Sequence, residues 1–295
     1  MKDAQKPDYF NLIRLINHLG EGNFVIPDFQ RDFEWKPSDI RELMRSIFLD
    51  YYIGSLLLWK GKPDNFKAFS CEQIYGYKGN KNPQWIVLDG QQRLAAVYYA
   101  FFAPNCPLPN RSNRFFYFIR VNRFMAEEYE DAFGYDWLTH RWDKILKDPD
   151  AQYENHIFPL AIIGAGLFNL FNWLQGYEQY WKNKAENLKA SEKKFEFQAS
   201  IDHATNAAAF SKYFQEIAEH YQISYIELDC DIGPEKVCDI FTQINSRGTR
   251  LDIFDLVNAL LKPSLKEDEP SLKQMWHKAA PRLIGIKTER MNVYI

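Results

Sequence analysis

The residues best suited to chemistry lie together in the stretch Asp89–Arg93, directly after the apolar run Ile86–Leu88. An apolar run that ends in Asp-Gly and precedes an apolar-patterned segment predicts a strand, a tight turn and a helix. The N-terminus of a helix leaves backbone N–H groups unpaired and carries a partial positive charge. This turn is therefore suited to binding a phosphate group.

The side chains of the turn fit phosphoryl transfer. Gly90 lets the backbone approach a phosphate closely, and Arg93 can hold it with a forked pair of donors. Asp89 can bind Mg²⁺ or orient a water molecule. Gln91 and Gln92 can position a nucleophilic water without titrating, because such sites act mainly through positioning and electrostatics. The same spacing also occurs in turns that are purely structural.

The composition limits the partners. The 295 residues carry 36 basic and 39 acidic side chains, a formal net charge of −3. No global positive field attracts nucleic acid, so any contact with nucleic acid must use a local patch. The hydrophobic content of 46% supports packed cores, and the length corresponds to about two average domains.

The cysteines and the apolar runs indicate a compartment. The four cysteines lie far apart without C-x-x-C spacing, which predicts free thiols in a reducing environment and argues against a zinc site. The apolar runs are much shorter than the ~20 residues that span a bilayer, and the N-terminus lacks the pattern of a secretory signal. We expect a cytoplasmic protein with no membrane partner.

Strand and helix signals are mixed up to about residue 123. A helix is predicted over Tyr9–Leu19, and strands are predicted over Ile53–Trp59 and Gln84–Leu88, with a long loop over Gly61–Pro83 between the two strands. The pattern is mainly helical over residues 124–295, with one strand at 223–229 that should rejoin the first sheet. The sequence thus predicts an α+β fold with a first domain over residues 1–123.

Arg114 and Arg120 flank an aromatic strand and are candidate DNA contacts. Arginines and aromatic rings together could hold phosphates and stack a flipped base. Strand alternation favours another interpretation, in which Phe115, Tyr117 and Ile119 share a core-facing side and the arginines are charges at its rim.

Three segments in order resemble one family. Asp89–Arg93, the string D-G-Q-Q-R, resembles the signature of the N-terminal domain of GmrSD-type, type IV restriction endonucleases, which is ParB/sulfiredoxin-like. Ile26–Trp35 is similar to the family's I-P-x-[YF]-Q-R-x-[YF]-x-W element, and Phe241–Leu251 resembles its F-x-x-I-N-x-x-G-x-x-L element. Three ordered matches across about residues 8–260 are far more specific than one pentapeptide.

The resemblance implies a ParB/sulfiredoxin-like mixed sheet with helices, followed by a mainly helical region. It implies a Mg²⁺-dependent NTPase, of unknown base preference, that couples nucleotide turnover or the sensing of modified phage DNA to cleavage by an HNH-type nuclease domain or subunit. Carried over by position, the catalytic residues are Asp89, Gln91, Gln92 and Arg93, with Asp89 also the metal ligand. The nucleotide-binding residues are Gly90, Arg93, Gln30, Arg31, Asn245 and Gly248.

The HNH motif of larger relatives is not found among the six scattered histidines. The chain is then either cut before the nuclease or a stand-alone module, and its apolar end at Val293–Ile295 favours the first. Two alternatives stay open for the function. One is a non-hydrolytic ParB-like adaptor that binds nucleotide or DNA. The other is a nuclease in its own right, in which Asp89 and Asp32 or Glu34 surround a metal.

Overall fold

A computed structural model describes residues 5–80, 82–189 and 192–245. The strands in this part of the chain are β1 (Gln5–Asn11), β2 (Phe24–Ile26), β3 (Leu56–Lys60), β4 (Glu72–Gln73), β5 (Trp85–Asp89), β6 (Phe115–Arg120), β7 (Phe133–Trp137), β8 (Ile157–Pro159) and β9 (Gln222–Leu228). The helices are α1 (Leu12–Gly20), α2 (Pro37–Phe48), α3 (Pro63–Ala68), α4 (Gln91–Phe102), α5 (Val121–Met125), α6 (Tyr129–Ala132), α7 (His140–Lys147), α8 (Pro149–Glu154), α9 (Ala161–Gly164), α10 (Leu167–Leu188), α11 (Lys194–His220) and α12 (Pro234–Asn245).

The fold is α+β, as predicted. Among the described residues, six strands form one mixed sheet in the order β1-β9-β3-β5-β2-β4, and β7-β6-β8 form a smaller sheet. Strand β5 is parallel to β2 and antiparallel to β3, and β9 is parallel to β3 and antiparallel to β1. The predicted returning strand therefore does rejoin the first sheet.

The central strands β3 and β5 of the main sheet are buried on both faces, which explains their unbroken apolar runs. Val87 and Leu58 face the larger core, where α1, α2 and α4 pack together with α10 and α11. Ile86 and Leu88 face a smaller core on the other side, which Val237 and Phe241 of α12 help to form. Strand β5 is thereby fixed from both sides, and so is the turn that follows it.

Three predicted boundaries are corrected. The helix predicted from Tyr9 begins only at Leu12, because the residues up to Asn11 pair with β9 and the Asn11 side chain caps the helix by accepting from Arg14 N at 2.8 Å. The predicted long loop contains α3 and β4. The region from residue 124 onward contains β7 and β8 besides the returning strand, because both pair with the aromatic strand β6.

The aromatic strand β6 alternates as predicted. Phe115, Tyr117 and Ile119 belong to the main core, whereas Phe116 and Phe118 form a separate cluster with Ile157. All five side chains are buried, so the core interpretation of these aromatics is confirmed.

The described helices include none with the length and apolarity to cross a membrane. The cysteines Cys71, Cys106, Cys230 and Cys238 form no disulfide.

Candidate functional site

The turn after β5 has the predicted strand–turn–helix form. Asp89 ends β5, Gly90 takes a left-handed conformation with φ of +95°, and α4 begins at Gln91. A side chain at position 90 would be strained by this φ, and its Cβ would overlap the Leu56 side chain. Because glycine carries no side chain, the first amides of α4 have no side-chain cap at this position.

Arg93 clamps this turn to the loop before β3. Its Nη1 donates to Ile53 O at 2.8 Å, and its Nη2 donates to Ser55 O at 2.8 Å and to Asp89 Oδ2 at 3.0 Å. These contacts use three of the five donors of a guanidinium, so its remaining N–H groups are those a ligand could engage. Gly54 has φ of +88°, and a Cβ there would lie 2.5 Å from Arg93 Nη1. The clamp therefore requires glycine at position 54 as well.

Asp89 remains accessible beside the clamp. Its side chain is 45% exposed, whereas the Arg93 side chain is only 18% exposed. The ion pair holds Oδ2, and a carboxylate has a second oxygen that can bind a hard cation such as Mg²⁺.

Gln91 and Gln92 connect two of the motifs. In chain order the first motif is Ile26–Trp35 and the second is Asp89–Arg93, and the paired residues are about 60 positions apart. Gln91 Nε2 donates to Arg31 O at 2.8 Å. Gln92 is only 8% exposed, and both ends of its amide are engaged: Oε1 accepts from Glu34 N at 3.0 Å, and Nε2 donates to Asp32 O at 2.8 Å. The two neighbouring glutamines therefore have different surroundings.

Gln30 connects the same two motifs from the Ile26–Trp35 side, and we call this region of contact between Ile26–Trp35 and Asp89–Arg93 the junction. Gln30 Nε2 donates to Val87 O at 2.7 Å and to Leu88 O at 3.1 Å, at the end of β5. Arg31 is turned outward, with 58% of its side chain exposed and Glu34 4.0 Å away. Of this pair, Gln30 fixes the loop, and Arg31 has the exposed side chain that could contact a ligand.

A cavity of about 300 Å³ lies where the two motifs meet. From the two motifs its lining includes Gln91 and seven residues of Ile26–Trp35, namely Ile26, Pro27, Asp28, Gln30, Arg31, Asp32 and Phe33. The other lining residues are Glu72, Gln73, Tyr75, Ala95 and Pro109. Asp89 and Arg93 are not part of this lining, because the clamp directs Arg93 toward the loop before β3. The carboxylates in the lining outnumber its one guanidinium, so the cavity is acidic.

Gln73 is a site residue that the sequence analysis missed. Both polar atoms of its amide are buried, and they have no hydrogen-bond partner among the described residues. It lies on β4, inside the stretch interpreted as a loop, and no motif marks it. Nearby, burial raises the pKa of Tyr75, whose hydroxyl donates to Pro107 O at 2.7 Å.

The third motif is only partly described. Phe241 on α12 is 5% exposed and packs edge-to-face against Phe29 of the first motif, with ring centroids 5.7 Å apart. Asn245 is the last residue of α12, and Gly248 lies outside the described residues. The helix that leads into this motif thus contacts the same loop that borders the cavity.

The arginines of the aromatic strand lie apart from this junction. Arg114 donates to Ala103 O and lines a second cavity of about 340 Å³, together with Lys147. Arg120 donates to Asp131 O at 2.7 Å, and its guanidinium lies 4.9 Å from the Phe118 ring centroid. Of the two, Arg114 borders this second cavity and Arg120 does not.

The carboxylates of the nuclease alternative do not cluster. Among the described residues, the one group of three side chains close enough to share a metal ion is Asp229, Cys230 and Asp231, after β9. Asp32, Glu34 and Asp89 form no such group. The geometry gives no support to a metal-dependent nuclease centre at the turn.

Comparison with known proteins assigns the family. The GmrSD restriction endonuclease N-terminal domain matches residues 12–262, which is most of the chain. The chain belongs to this family. The resemblance drawn from the three motifs is thereby confirmed, and the GmrSD N-terminal domain is a module of a restriction system.

The chain is similar to part of a longer protein. An uncharacterized protein of Methanocaldococcus jannaschii is 29% identical over 301 aligned positions. The alignment covers 95% of this chain but only 45% of the relative. The chain therefore spans less than half the length of the curated relative it matches.

Proposed function

We propose that this GmrSD-family domain binds a Mg²⁺-bound nucleoside triphosphate at the turn between β5 and α4 and hydrolyses it. The observation that carries the proposal is the position of the first turn of α4. This turn begins at Gln91, directly after Gly90, which has no side chain to cap it, and Gln91 and Arg31 line the cavity of about 300 Å³ beside it. Backbone amides at a helix N-terminus and an exposed guanidinium are ligands for phosphate.

The acidic lining favours a metal-bound nucleotide over a free one. Asp32 and Glu72 line the cavity with Asp28, against the single positive charge of Arg31. These carboxylates would repel a bare triphosphate, whereas Mg²⁺ reduces the charge of the phosphates and prefers oxygen ligands. Asp89, which is 45% exposed beside the turn, is the proposed metal ligand.

In the proposed reaction, water attacks the γ-phosphorus and the bond from that phosphorus to the β–γ bridging oxygen breaks. Nucleoside diphosphate and inorganic phosphate leave. We assign the orientation of this water to Gln91, because Gln91 lines the cavity, whereas both ends of the Gln92 amide bind backbone. Gln92 then acts as a positioning residue that holds the first motif against α4.

We propose further that turnover is coupled to cleavage of modified DNA by an HNH-type nuclease domain or subunit outside this chain. For the DNA itself, Arg114 is the better of the two candidate contacts. It borders a cavity of about 340 Å³ with Lys147, and cations beside a base-sized cavity suit a phosphate backbone and an unstacked base. Arg120 is held by Asp131 O and Phe118.

A non-hydrolytic adaptor is the second candidate, and the Arg93 clamp favours it. An arginine that stabilises charge in a phosphoryl-transfer transition state needs donors aimed at the phosphates. Arg93 instead directs three hydrogen bonds to Ile53 O, Ser55 O and Asp89 Oδ2, away from a ligand. In the adaptor, nucleotide binding shifts a conformational equilibrium and no phosphate is released.

Phosphate release from ATP, GTP, CTP and UTP with Mg²⁺ tests the proposal. We expect release by the wild-type chain, and about 100-fold slower release by Gln91→Leu, the loss typical of removing one oriented donor. The control is Gln198→Leu on α11, whose amide donates to Asp202 on the same helix. Equal rates for both variants would remove the role assigned to Gln91. Binding of nucleotide by the wild-type chain without any release would establish the adaptor instead.

A further inference from the structure

A groove of about 750 Å³ lies between the two long helices α10 and α11, which pack against each other. No residue that lines this groove also lines the cavity at the junction. Its two walls differ in chemistry. The α10 wall carries the charged residues Glu178, Lys182, Glu186 and Lys189, whereas the α11 wall is uncharged and consists of Phe197, Ile201, Ala204, Thr205 and Ala208.

The charges on the α10 wall alternate in sign. Glu178, Lys182, Glu186 and Lys189 follow one another in steps of three or four residues, so they share one face of the helix. Lys182 pairs with Glu178 at 2.5 Å, and 53% of its side chain remains exposed. Among the described residues, Glu186 and Lys189 form no ion pair. The wall therefore presents charges of both signs that a partner could engage.

This charge pattern is complementary to itself when the helix direction is reversed. If a second α10 lies antiparallel to the first about a point near residue 184, Lys182 lies opposite Glu186, and Glu178 lies opposite Lys189. Two-fold symmetry forms each of these pairs twice. A parallel arrangement would place each charge opposite its own copy, and like charges repel. The pattern thus selects an antiparallel copy.

The α11 wall fits the same symmetry. Phe197, Ile201, Ala204 and Ala208 share one face of α11, because they too are three or four residues apart. An antiparallel copy of α11, centred between Ile201 and Ala204, sets Ile201 opposite Ala204 and Phe197 opposite Ala208. Large side chains then meet small ones, as close packing requires. Ile201 is 37% exposed in the single chain, so association buries apolar surface here.

One two-fold axis can serve both helices. Trp181 of α10 contacts His203 of α11 with the ring centroids 4.4 Å apart. The centres of the two patterns therefore lie at about the same level along the helix pair, within one helical turn. Lys184, the charge nearest the axis, is directed elsewhere, because its Nζ donates to Glu154 Oε1 at 2.8 Å. The two copies of Lys184 do not meet at the axis.

We propose that this groove is the interface of a homodimer, in which α10 and α11 pack antiparallel against α10 and α11 of a second copy of the chain. A second copy fits because it carries the same charges in reverse order and places small side chains opposite large ones. The ion pairs fix the direction and register of the helices, and the apolar wall supplies most of the affinity. The inference goes beyond the proposed hydrolysis and does not depend on it.

Sedimentation of the full chain over a series of concentrations tests the interface. We expect the wild-type chain to reach twice the mass of one chain. Lys182→Glu places a carboxylate opposite Glu186 of the second copy, twice in each dimer, and should raise the dissociation constant about 10- to 100-fold. Glu186→Lys should have the same effect, because it faces Lys182. An equimolar mixture of the two variants restores both pairs and should dimerise about as tightly as the wild-type chain.

Ile201→Glu tests the apolar wall. We expect this variant to be monomeric, because dimerisation would bury a carboxylate opposite Ala204. The matched control for the charge changes is Lys144→Glu, at an exposed lysine of α7 outside the groove, which should leave the dissociation constant unchanged. Lys182, Glu186 and Ile201 are all exposed, so each variant should stay folded, and circular dichroism checks this.

The measurements can overturn the interface in three ways. A wild-type chain that is monomeric over the whole series refutes it. A dimer that neither Lys182→Glu nor Ile201→Glu weakens uses another surface, which also refutes it. A mixture of Lys182→Glu and Glu186→Lys that stays monomeric would rule out the pairing of these two positions. No nucleotide is present in these experiments, so failure of the interface and failure of the proposed hydrolysis are separate results.

Discussion

At the scale of single residues, Gly90 and Gly54 make the turn possible. Arg93 lies between the loop before β3 and the turn after β5, and it binds backbone carbonyls of the first and a carboxylate of the second. Such a clamp requires both backbones to approach the guanidinium closely. Both glycines have positive φ, and at both a Cβ would meet the clamp or its neighbour Leu56.

We expect Gly90→Ala to destabilise the protein by about 2–6 kcal/mol. Backbone strain at a positive φ and overlap with Leu56 each contribute about 1–3 kcal/mol. Urea unfolding of the variant measures the change in the free energy of unfolding. The matched control is Gly233→Ala, because a Cβ there meets nothing within 4 Å, and its effect should stay within about 0.5 kcal/mol. A variant at position 90 as stable as this control would contradict the packing described at the turn.

At the scale of secondary-structure elements, Gln92 fastens α4 to the first motif. Replacing it by leucine leaves Glu34 N and Asp32 O without their partner. We expect Gln92→Leu to cost about 1–3 kcal/mol of stability, and to speed hydrogen exchange at the Glu34 amide.

The comparison for this prediction is Gln91→Leu, which removes a single bond to Arg31 O. That variant should leave the exchange of the Glu34 amide unchanged. Slow exchange at Glu34 in Gln92→Leu would show that the loop is held by other contacts.

The elements around the turn could be predicted from the sequence because their patterns are local. The buried run before Asp89 and the apolar periodicity after it were sufficient for a strand and a helix, and the structure has both. The strand β7 was not predicted. Its residues Phe133–Trp137 come directly after a segment with a helical pattern, and they form a strand because they pair with β6. Long-range pairing of this kind leaves no local signal.

The same distinction applies to the site. The motif residues were found from the sequence, but their division of roles was not, because it depends on which partner each side chain reaches. Gln91 and Gln92 are adjacent and identical, yet one lines the cavity and the other is held at both ends of its amide. Gln73 had no signal in the sequence, since it borders the cavity through the pairing of β4 with β2, which is far away in the chain.

At the scale of the whole molecule, the junction is supported by a core that extends far from it. α10 and α11 pack against each other and close the larger core on the side of the small sheet. Within this helical region the His156 ring stacks on Trp181 with the centroids 4.8 Å apart, and its centroid lies 4.4 Å from that of His203. Its Nδ1 is 2.7 Å from the Tyr177 hydroxyl.

This environment makes stability depend on pH. Burial lowers the pKa of His156 to about 4, with smaller contributions in the same direction from His203 and Lys184 and an opposing one from Glu154. Below the ordinary histidine pKa of about 6.5, His156 binds a proton in the unfolded chain, whereas in the folded chain it stays neutral until the pH approaches 4. The stability contributed by neutral His156 is therefore complete above about pH 6.5 and is lost as the pH falls toward 4.

We expect the free energy of unfolding to fall between pH 7 and pH 4.5, and His156→Asn to reduce that fall by about 1–2 kcal/mol, less than full linkage because the ring is partly exposed. Asparagine suits the positive φ of 57° at this position. Urea unfolding at a series of pH values gives the slope for each protein. Some dependence should remain in the variant, because burial also lowers the pKa of His18 and His203. A slope equal to that of the wild-type chain would mean that His156 takes up its proton at the same pH in the folded and unfolded chains.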